Sequence, residues 1–263
     1  MLLILLVLVW ASLAWGDEPQ TAVFDFDDTE VRGELVRPDV TLLFGVEESE
    51  ASTKPPRWRA RRARQLDRQL ARHPTPEALA ERADLLAVEG RVVLLEGYAG
   101  LDGSLDMDDA LPTVERSEAL WRRAIERYTQ ALPGLPVAEQ QRVAHAAARL
   151  HEEVSTPSQA VAAWQQVLAV APDHAEAHMA LGQHAFADHD LARAAAHFER
   201  ALSSDHDHGF ATYMLAWTRY NQGDLDAAVT LMASLAASPG ASRMLVEEAG
   251  RDLALFRGEA TAP

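Results

Sequence analysis

The side chains of this sequence that could do chemistry are its histidines and clustered aspartates. His174 and His178 stand four residues apart, and the tract from Asp205 to His208 alternates aspartate with histidine. Imidazole and carboxylate groups are common ligands of metal ions. However, the tract falls in a turn between two predicted helices, where polar residues are expected, and His178 takes a helix position where a packed ring is expected. We therefore predict neither a metal site nor a cofactor.

A further acidic cluster consists of Asp102, Asp106, Asp108 and Asp109. Its sequence DGSLDMDD lacks the regular ligand spacing and the closing glutamate of a calcium-binding EF-hand loop. The chain has no cysteine, which excludes disulfides and thiolate chemistry. A Ser-His-Asp set and a glycine-rich phosphate loop are also missing at any meaningful spacing. We predict that the protein is not an enzyme.

One motif supports the opposite hypothesis. Asp25, Asp27 and Thr29 in AVFDFDDT resemble the DxDxT nucleophile motif of haloacid-dehalogenase-like phosphatases. The resemblance implies that Asp25 attacks phosphorus and that Asp27 acts as acid and base. That fold also needs a parallel sheet with alternating helices, and a later lysine, whereas the only lysine is Lys54 and helical repeats follow it. We expect an acidic turn here, with the phosphatase as the alternative.

The elements that must position any site are short amphipathic helices that recur with a period of 34 residues. Residues 175–208 split into two helices, and they align without gaps with residues 141–174 and 209–242. Small residues recur in one column, and bulky residues recur in another. These columns are Ala148, Gly182 and Ala216, and Trp164, Phe198 and Met232. Small residues let helix axes approach to about 8–10 Å. A helix pair cannot bury its apolar faces alone, so the copies must stack.

This pattern resembles the tetratricopeptide (TPR) repeat. The resemblance covers the second half of the chain and implies a mostly α fold, a solenoid of antiparallel helix pairs. Pro172 ends the first copy as the family pattern expects, whereas His206 replaces that proline in the second. Ala144, His178 and Thr212 stand where the family usually has tryptophan.

The first helices of TPR pairs line a concave groove, so the resemblance also implies a protein-binding surface. The corresponding residues are Arg142, His145, Arg149, Met179, Gln183, Phe186, Phe210, Tyr213, Trp217, Tyr220 and Asn221. Among them an aromatic stripe, formed by Phe210, Tyr213, Trp217 and Tyr220, has the composition of a peptide-binding hot spot. Alternatively, the C-terminal helix or the N-terminal segment covers this stripe. The lysine and asparagine pattern of carboxylate clamps is missing.

Residues 1–16 are a short apolar run that ends in Ala14-Trp15-Gly16. This pattern predicts a secretory signal peptide, although no basic residue precedes the run. The run is shorter than the roughly 20 residues of a membrane span. We therefore expect export to the periplasm or the outer envelope, with an uncleaved anchor as the alternative.

Residues 17–56 are predicted to form a small β-hairpin or meander and a polar linker. Such a small sheet is marginal alone and must dock on the helices or on a partner. The sequence FDFDDTEVRGELVRPD, together with the order of signal, hairpin, basic stretch and repeats, resembles the leader of exported TPR proteins of myxobacterial envelope and gliding machinery. This resemblance implies protein partners in an envelope complex.

Residues 57–75 predict a basic helix, with its arginines between Arg57 and Arg68. These arginines either face acidic parts of the same chain or contact an anionic surface of lipid, wall polymer or protein. Nucleic acid is not expected as a partner, because the formal net charge is −16 and such a charge repels phosphates.

The remaining boundaries follow from the helical pattern. Residues 76–140 are predicted to be a divergent TPR-like helix pair with an acidic loop at 97–112, residues 141–242 three repeats, and residues 243–263 a capping helix and tail. At 263 residues and 48% hydrophobic composition, the chain can bury a core. The sequence thus predicts a non-catalytic interaction scaffold of the cell envelope, and it leaves the oligomeric state open.

Overall fold

The structure, a computed structural model, describes residues 21–26, 29–34, 57–99, 107–205 and 208–257. The predicted signal peptide, the linker, Asp27, the loop aspartates Asp102 and Asp106, and His206 lie outside the described residues. Within the described ranges, no helix combines the length and the apolar character that a bilayer crossing requires. The chain divides into two compact units, Met1–Gly134 and Leu135–Pro263.

Two short strands precede the helices of the first unit. Strand β1 (Thr21–Phe26) pairs antiparallel with β2 (Thr29–Glu34), with Phe26 opposite Thr29 and Asp25 opposite Glu30. The phosphatase alternative needs a parallel sheet interleaved with helices, and the described residues contain no such sheet. Docking of this strand pair on the helices or on a partner stays a prediction.

Three helices follow, α1 (Arg57–Leu70), α2 (Pro76–Ala99) and α3 (Met107–Ala131), and a 3₁₀ turn at Leu132–Gly134 ends this unit. The pair α2/α3 packs through Gly90, where a Cβ atom would lie 2.3 Å from Nε1 of Trp121. That indole nitrogen donates a hydrogen bond to the carbonyl of Ala87 at 3.1 Å. The Tyr128 hydroxyl donates to Asp84 at 2.6 Å. A glycine against a buried ring therefore brings the two helices together.

The predicted acidic loop is longer than the structure allows. We expected a loop over 97–112 and a helix that resumes at Val114, whereas α2 continues to Ala99 and α3 begins at Met107 with Pro112 inside it. Proline lacks an N–H and cannot bond the carbonyl four residues earlier. Here that loss falls near the start of a 25-residue helix, so the helix tolerates it.

The described residues of the second unit form three helix pairs and one further helix. The pairs are α4/α5, α6/α7 and α8/α9, and they follow the predicted 34-residue period. Their bounds are Val137–Val154 (α4), Pro157–Val170 (α5), Ala175–Ala187 (α6), Leu191–Ser204 (α7), Gly209–Asn221 (α8), Leu225–Ala236 (α9) and, for the last helix, Arg243–Phe256 (α10).

The helix ends repeat with the same period as the core. His174 and His208, 34 residues apart in the sequence, are the N-caps of α6 and α8, and their side chains accept hydrogen bonds from the Ala177 and Ala211 amides. Asp190 and Asp224 cap α7 and α9 in the same way. Capping leaves less of these imidazoles and carboxylates for a metal ion, because it occupies their acceptor atoms.

The core lies where the small and bulky columns meet. Trp164, Phe198 and Met232 are at most 2% exposed. Gly182 lies directly against one of these rings, since a Cβ atom there would lie 2.5 Å from Cε1 of Phe198. The predicted packing between first and second helices is therefore present in this unit.

We expect Gly182→Ala to lower the free energy of unfolding by about 1–2 kcal/mol, because overpacking against Phe198 outweighs the better helix propensity of alanine. Gly250→Ala is the matched control, since it lies within α10 and nothing meets a Cβ atom there within 4 Å. It should stabilise the protein by about 0.5–1 kcal/mol. Urea unfolding measures both, and equal effects would contradict the packing.

Candidate functional site

The predicted groove residues come from the first helices α4, α6 and α8, and we call this surface the first-helix face. Exposed members of it are Arg142, Arg149, Gln183, Phe210, Tyr220 and Asn221, and half-buried members are His145, Phe186, Tyr213 and Trp217. Met179 differs from the rest. It is only 6% exposed and packs in the core with Ala185 and Phe198, so its side chain belongs to the interior.

A first polar contact links α4 to α6. His145 Nε2 lies 2.6 Å from Oε2 of Glu176, and an Arg149 guanidinium nitrogen lies 3.5 Å from the other carboxylate oxygen. The hydrogen bond from His145 lowers the pKa of the Glu176 carboxyl. The His145 ring also stands 4.9 Å from the ring of His174. Glu176 is thus held as a carboxylate between two basic groups.

A second contact links the same two helices, but here the carboxylate lies on α4 and the histidine on α6. Oε1 of Glu152 accepts hydrogen bonds from Nε2 of His184 at 2.9 Å and from Nε1 of Trp164 at 2.6 Å. Burial raises the pKa of this carboxyl, but the hydrogen bonds from His184 and Trp164, together with the charges of His184 and His151, outweigh that effect and lower it. Two acid–histidine pairs therefore fix the first helices of the first two repeats relative to each other.

The aromatic stripe on α8 lies against α10. Oδ2 of Asp252 accepts hydrogen bonds from the Tyr213 hydroxyl at 2.7 Å and from Trp217 Nε1 at 3.1 Å. Burial and the hydrogen bond to Asp252 raise the pKa of Tyr213 to about 12. The Phe256 ring stacks on Tyr220 at 4.4 Å and meets Trp217 edge-on at 5.0 Å.

The alternative in which the C-terminal helix covers the stripe is present for part of it. Helix α10 covers Tyr213, Trp217 and one ring face of Tyr220, whereas Phe210 and Tyr220 keep 40% and 37% of their surface exposed. Contact of the exposed part with a partner stays a prediction. Sequence reasoning missed Asp252 and Phe256 as neighbours of the stripe. The available signal was the position of Asp252 in line with Leu245, Ala249 and Phe256, a carboxylate on the apolar side of the predicted capping helix.

The predicted packed ring at His178 is confirmed, since this residue is 7% exposed. Its Nε2 lies 2.9 Å from the Pro172 carbonyl, and its Nδ1 lies 3.0 Å from Nδ1 of His197. A carbonyl only accepts hydrogen bonds, so Nε2 of His178 donates to Pro172, and the two Nδ1 atoms of His178 and His197 share one proton between them. Burial and the neighbouring His178 lower the pKa of His197. The part of the chain that the structure describes has no group of three or more histidine, aspartate or glutamate side chains placed to hold a metal ion.

Stacked helix pairs with polar and aromatic residues on their first helices, closed by one extra helix, define a helical repeat protein. Family models of the tetratricopeptide repeat match residues 145–209 and 185–243. This part of the chain therefore consists of tetratricopeptide repeats, as the period and the small-residue columns predicted. Proteins built from these repeats are generally non-enzymatic scaffolds for protein interaction.

Several solved structures are similar to the chain at low identity. The crystal structure of MamA is 19% identical, covers 59% of this chain and 91% of its own, and has a TM-score of 0.44. The structure of YrrB, described as a TPR protein with an unusual peptide-binding site, is 15% identical, with 72% and 99% covered and a TM-score of 0.44. A thermophilic TPR protein of Thermus thermophilus is 18% identical, covers 74% of this chain and 98% of its own, and has a TM-score of 0.38. No curated protein sequence matches the chain.

His184 and His197 should give opposite pH dependences of stability. The hydrogen bond to Glu152 raises the pKa of His184 above 6.5, so its contribution is complete below pH 6.5 and is lost as pH rises through the folded-state pKa. Burial lowers the pKa of His197 below 6.5, so stability is lost as pH falls through that folded-state pKa.

We therefore expect His184→Gln to cost more stability near pH 5.5 than near pH 8, by up to about 1 kcal/mol. His197→Gln should cost more near pH 8 than near pH 5.5. Urea unfolding of both variants at the two pH values measures this. Costs that do not change with pH, or that change in the same direction, would show that the hydrogen bonds do not persist in solution.

Asp252→Ala should lower the free energy of unfolding by about 1–2 kcal/mol, because it leaves the half-buried Tyr213 hydroxyl and Trp217 N–H without their charged acceptor. Glu247→Ala on the same helix is the control. Glu247 is exposed and pairs with Arg243 one turn away, and such a surface pair contributes about 0.5 kcal/mol or less. Guanidinium unfolding gives both values, and equal losses would argue against the contact between α8 and α10.

Proposed function

We propose that the chain is a non-catalytic scaffold of the cell envelope whose first-helix face binds a segment of a partner protein. One observation carries the proposal. The aromatic stripe ends in two exposed rings, Phe210 and Tyr220, beside the exposed amide of Asn221. Aromatic anchors next to polar neighbours are typical of binding hot spots.

The preceding first helices supply polar contacts for the same ligand. Gln183 of α6 and Arg142 and Arg149 of α4 are exposed. The pairs His145–Glu176 and Glu152–His184 hold these helices in place before any ligand arrives. Preorganisation of this kind raises affinity because less conformational freedom is lost on binding. We therefore infer an extended segment with an apolar side chain at the α8 end and polar groups toward α4.

The envelope location depends on sequence features. The predicted signal peptide at residues 1–16 and the resemblance of the leader to exported TPR proteins support it. The absence of cysteine is compatible with an oxidising compartment. The phosphatase alternative has only Asp25, Asp27 and Thr29 in its favour.

The test is affinity capture from envelope extract with two double variants. Phe210→Ala with Tyr220→Ala should lose a partner that the wild type captures, by at least about tenfold, since each lost anchor typically costs 1 kcal/mol or more. Leu225→Ala with Met244→Ala is the matched control. These residues are also large exposed apolar groups, 46% and 67% exposed, but they lie on α9 and α10, and the control should keep the partner.

Circular dichroism spectra should agree for all three proteins, since none of the four substituted side chains is fully buried. Melting curves measure what Tyr220→Ala loses through its stacking on Phe256. Loss of the partner in both double variants would mean that general hydrophobicity, and not the first-helix face, drives capture. Asp25→Asn separates the two functions. It should leave capture unchanged under the scaffold hypothesis, and it should abolish Mg²⁺-dependent phosphatase turnover under the alternative.

A further inference from the structure

Helix α1 has two chemically different faces. One face packs against α2, where Ala63 and Leu66 are 6% and 0% exposed. At its edge the Arg62 guanidinium bonds both carboxylate oxygens of Glu81, at 2.5 and 2.6 Å. Farther along, Asp67 accepts a hydrogen bond from Arg82 of α2 at 2.9 Å. This face is therefore fixed by apolar burial and by charge pairs within the unit.

The opposite face carries a second set of arginines. Arg61, Arg64, Arg68 and Arg72, which we call the cationic face, are all exposed, and no ion pair to them occurs among the described residues. They follow each other at three- and four-residue spacing, so they form one line along the helix and the turn after it. Arg68 and Arg72 also line an open groove of about 530 Å³ together with Gln65, Gln69 and His73.

An aromatic residue stands at the start of this line. Trp58 is 60% exposed, and the Arg59 guanidinium lies 5.5 Å from the centre of its ring. Large exposed indole groups are unusual on a soluble surface, and tryptophan is enriched where proteins meet the headgroup region of a bilayer. Arginine side chains can place their alkyl stems against an apolar layer while the charge stays in water.

We propose that the cationic face docks α1 on a membrane surface that contains anionic lipids, with Trp58 at the headgroup level. The charge distribution favours an anionic membrane. The chain carries a formal charge of −16, yet four exposed arginines lie on one line of α1 and the turn after it. A line of charge on a straight helix matches a flat anionic layer. The exposed indole at the end of this line favours a bilayer over an acidic protein, because tryptophan is enriched at the headgroup level of membranes, and the lysine variant below separates the two. The proposal is independent of the first-helix face.

The expected strength follows from the number of charges. Each basic residue near an anionic bilayer increases partitioning about fivefold. Removal of two arginines should therefore lower it about 30-fold at low salt. The interaction should weaken as salt rises, since charges farther apart than about 8 Å are screened at physiological ionic strength.

The experiment measures sedimentation of the full chain with vesicles of phosphatidylcholine and increasing phosphatidylglycerol. Binding to pure phosphatidylcholine gives the contribution of the apolar N-terminal residues, and the charge-dependent increase above it is compared between variants. Arg61→Gln with Arg68→Gln should lower the charge-dependent part of the partition coefficient about 30-fold. Arg61→Lys with Arg68→Lys should retain it, because a bilayer responds to charge and not to guanidinium geometry.

The matched control is Arg200→Gln with Arg251→Gln. It removes the same charge from exposed sites that are 68% and 70% exposed in their side chains, and it should bind like the wild type. Equal binding to neutral and anionic vesicles would overturn the proposal, as would equal losses in the two glutamine variants. Loss in the lysine variant would also overturn it, and would point to bidentate recognition of carboxylates on an acidic protein. Melting curves of each variant check that α1 remains folded.

Discussion

The structure of the repeat region depends on one packing constraint, the close approach of two helices where a small residue faces a ring. A lone pair of helices with about 13 residues each buries too little apolar surface to fold by itself. Gly182 against Phe198 shows how the pair is made tight enough, since any Cβ atom would enter the ring. Ala148 and Ala216 take the same column in the neighbouring copies and are fully buried. Stability is therefore shared along the stack, and every copy depends on its neighbours.

The surface of the first helices is a consequence of the same stacking. Once the apolar columns set the spacing, polar groups on consecutive first helices come within hydrogen-bond distance, as in Glu152 with His184. After the third repeat, α10 takes the place that the first helix of another repeat would occupy. Asp252 and Phe256 then contact Tyr213, Trp217 and Tyr220. The capping helix thus covers part of the aromatic surface that a further repeat would have covered, and it supplies the acceptor for the hydrogen-bond donors there.

The sequence could predict those features that recur from one repeat to the next, and it could not predict those that occur once. The helix pairs, their columns and the ring at His178 were predictable because a 34-residue period copies each environment three times. The burial of Met179 was not predictable. The residues at the same repeat position in the neighbouring copies, His145 and Tyr213, are only half-buried. The middle helix α6 has a repeat on both sides, so the same column is buried there. Asp252 lies outside the repeats, so no column indicated its contact with Trp217.

The chemistry of the last repeat restricts what a ligand can use. The Tyr213 hydroxyl and the Trp217 N–H already donate to Asp252, so a partner could take these donors only by displacing α10. What stays accessible is the apolar surface of Phe210 and Tyr220. Half-buried donors that already have an acceptor gain little from a second one, whereas apolar surface gains from each ring it covers. If the proposed function holds, recognition at this end is governed by the shape and apolar area of the ligand, and hydrogen-bond selectivity has to come from α4 and α6.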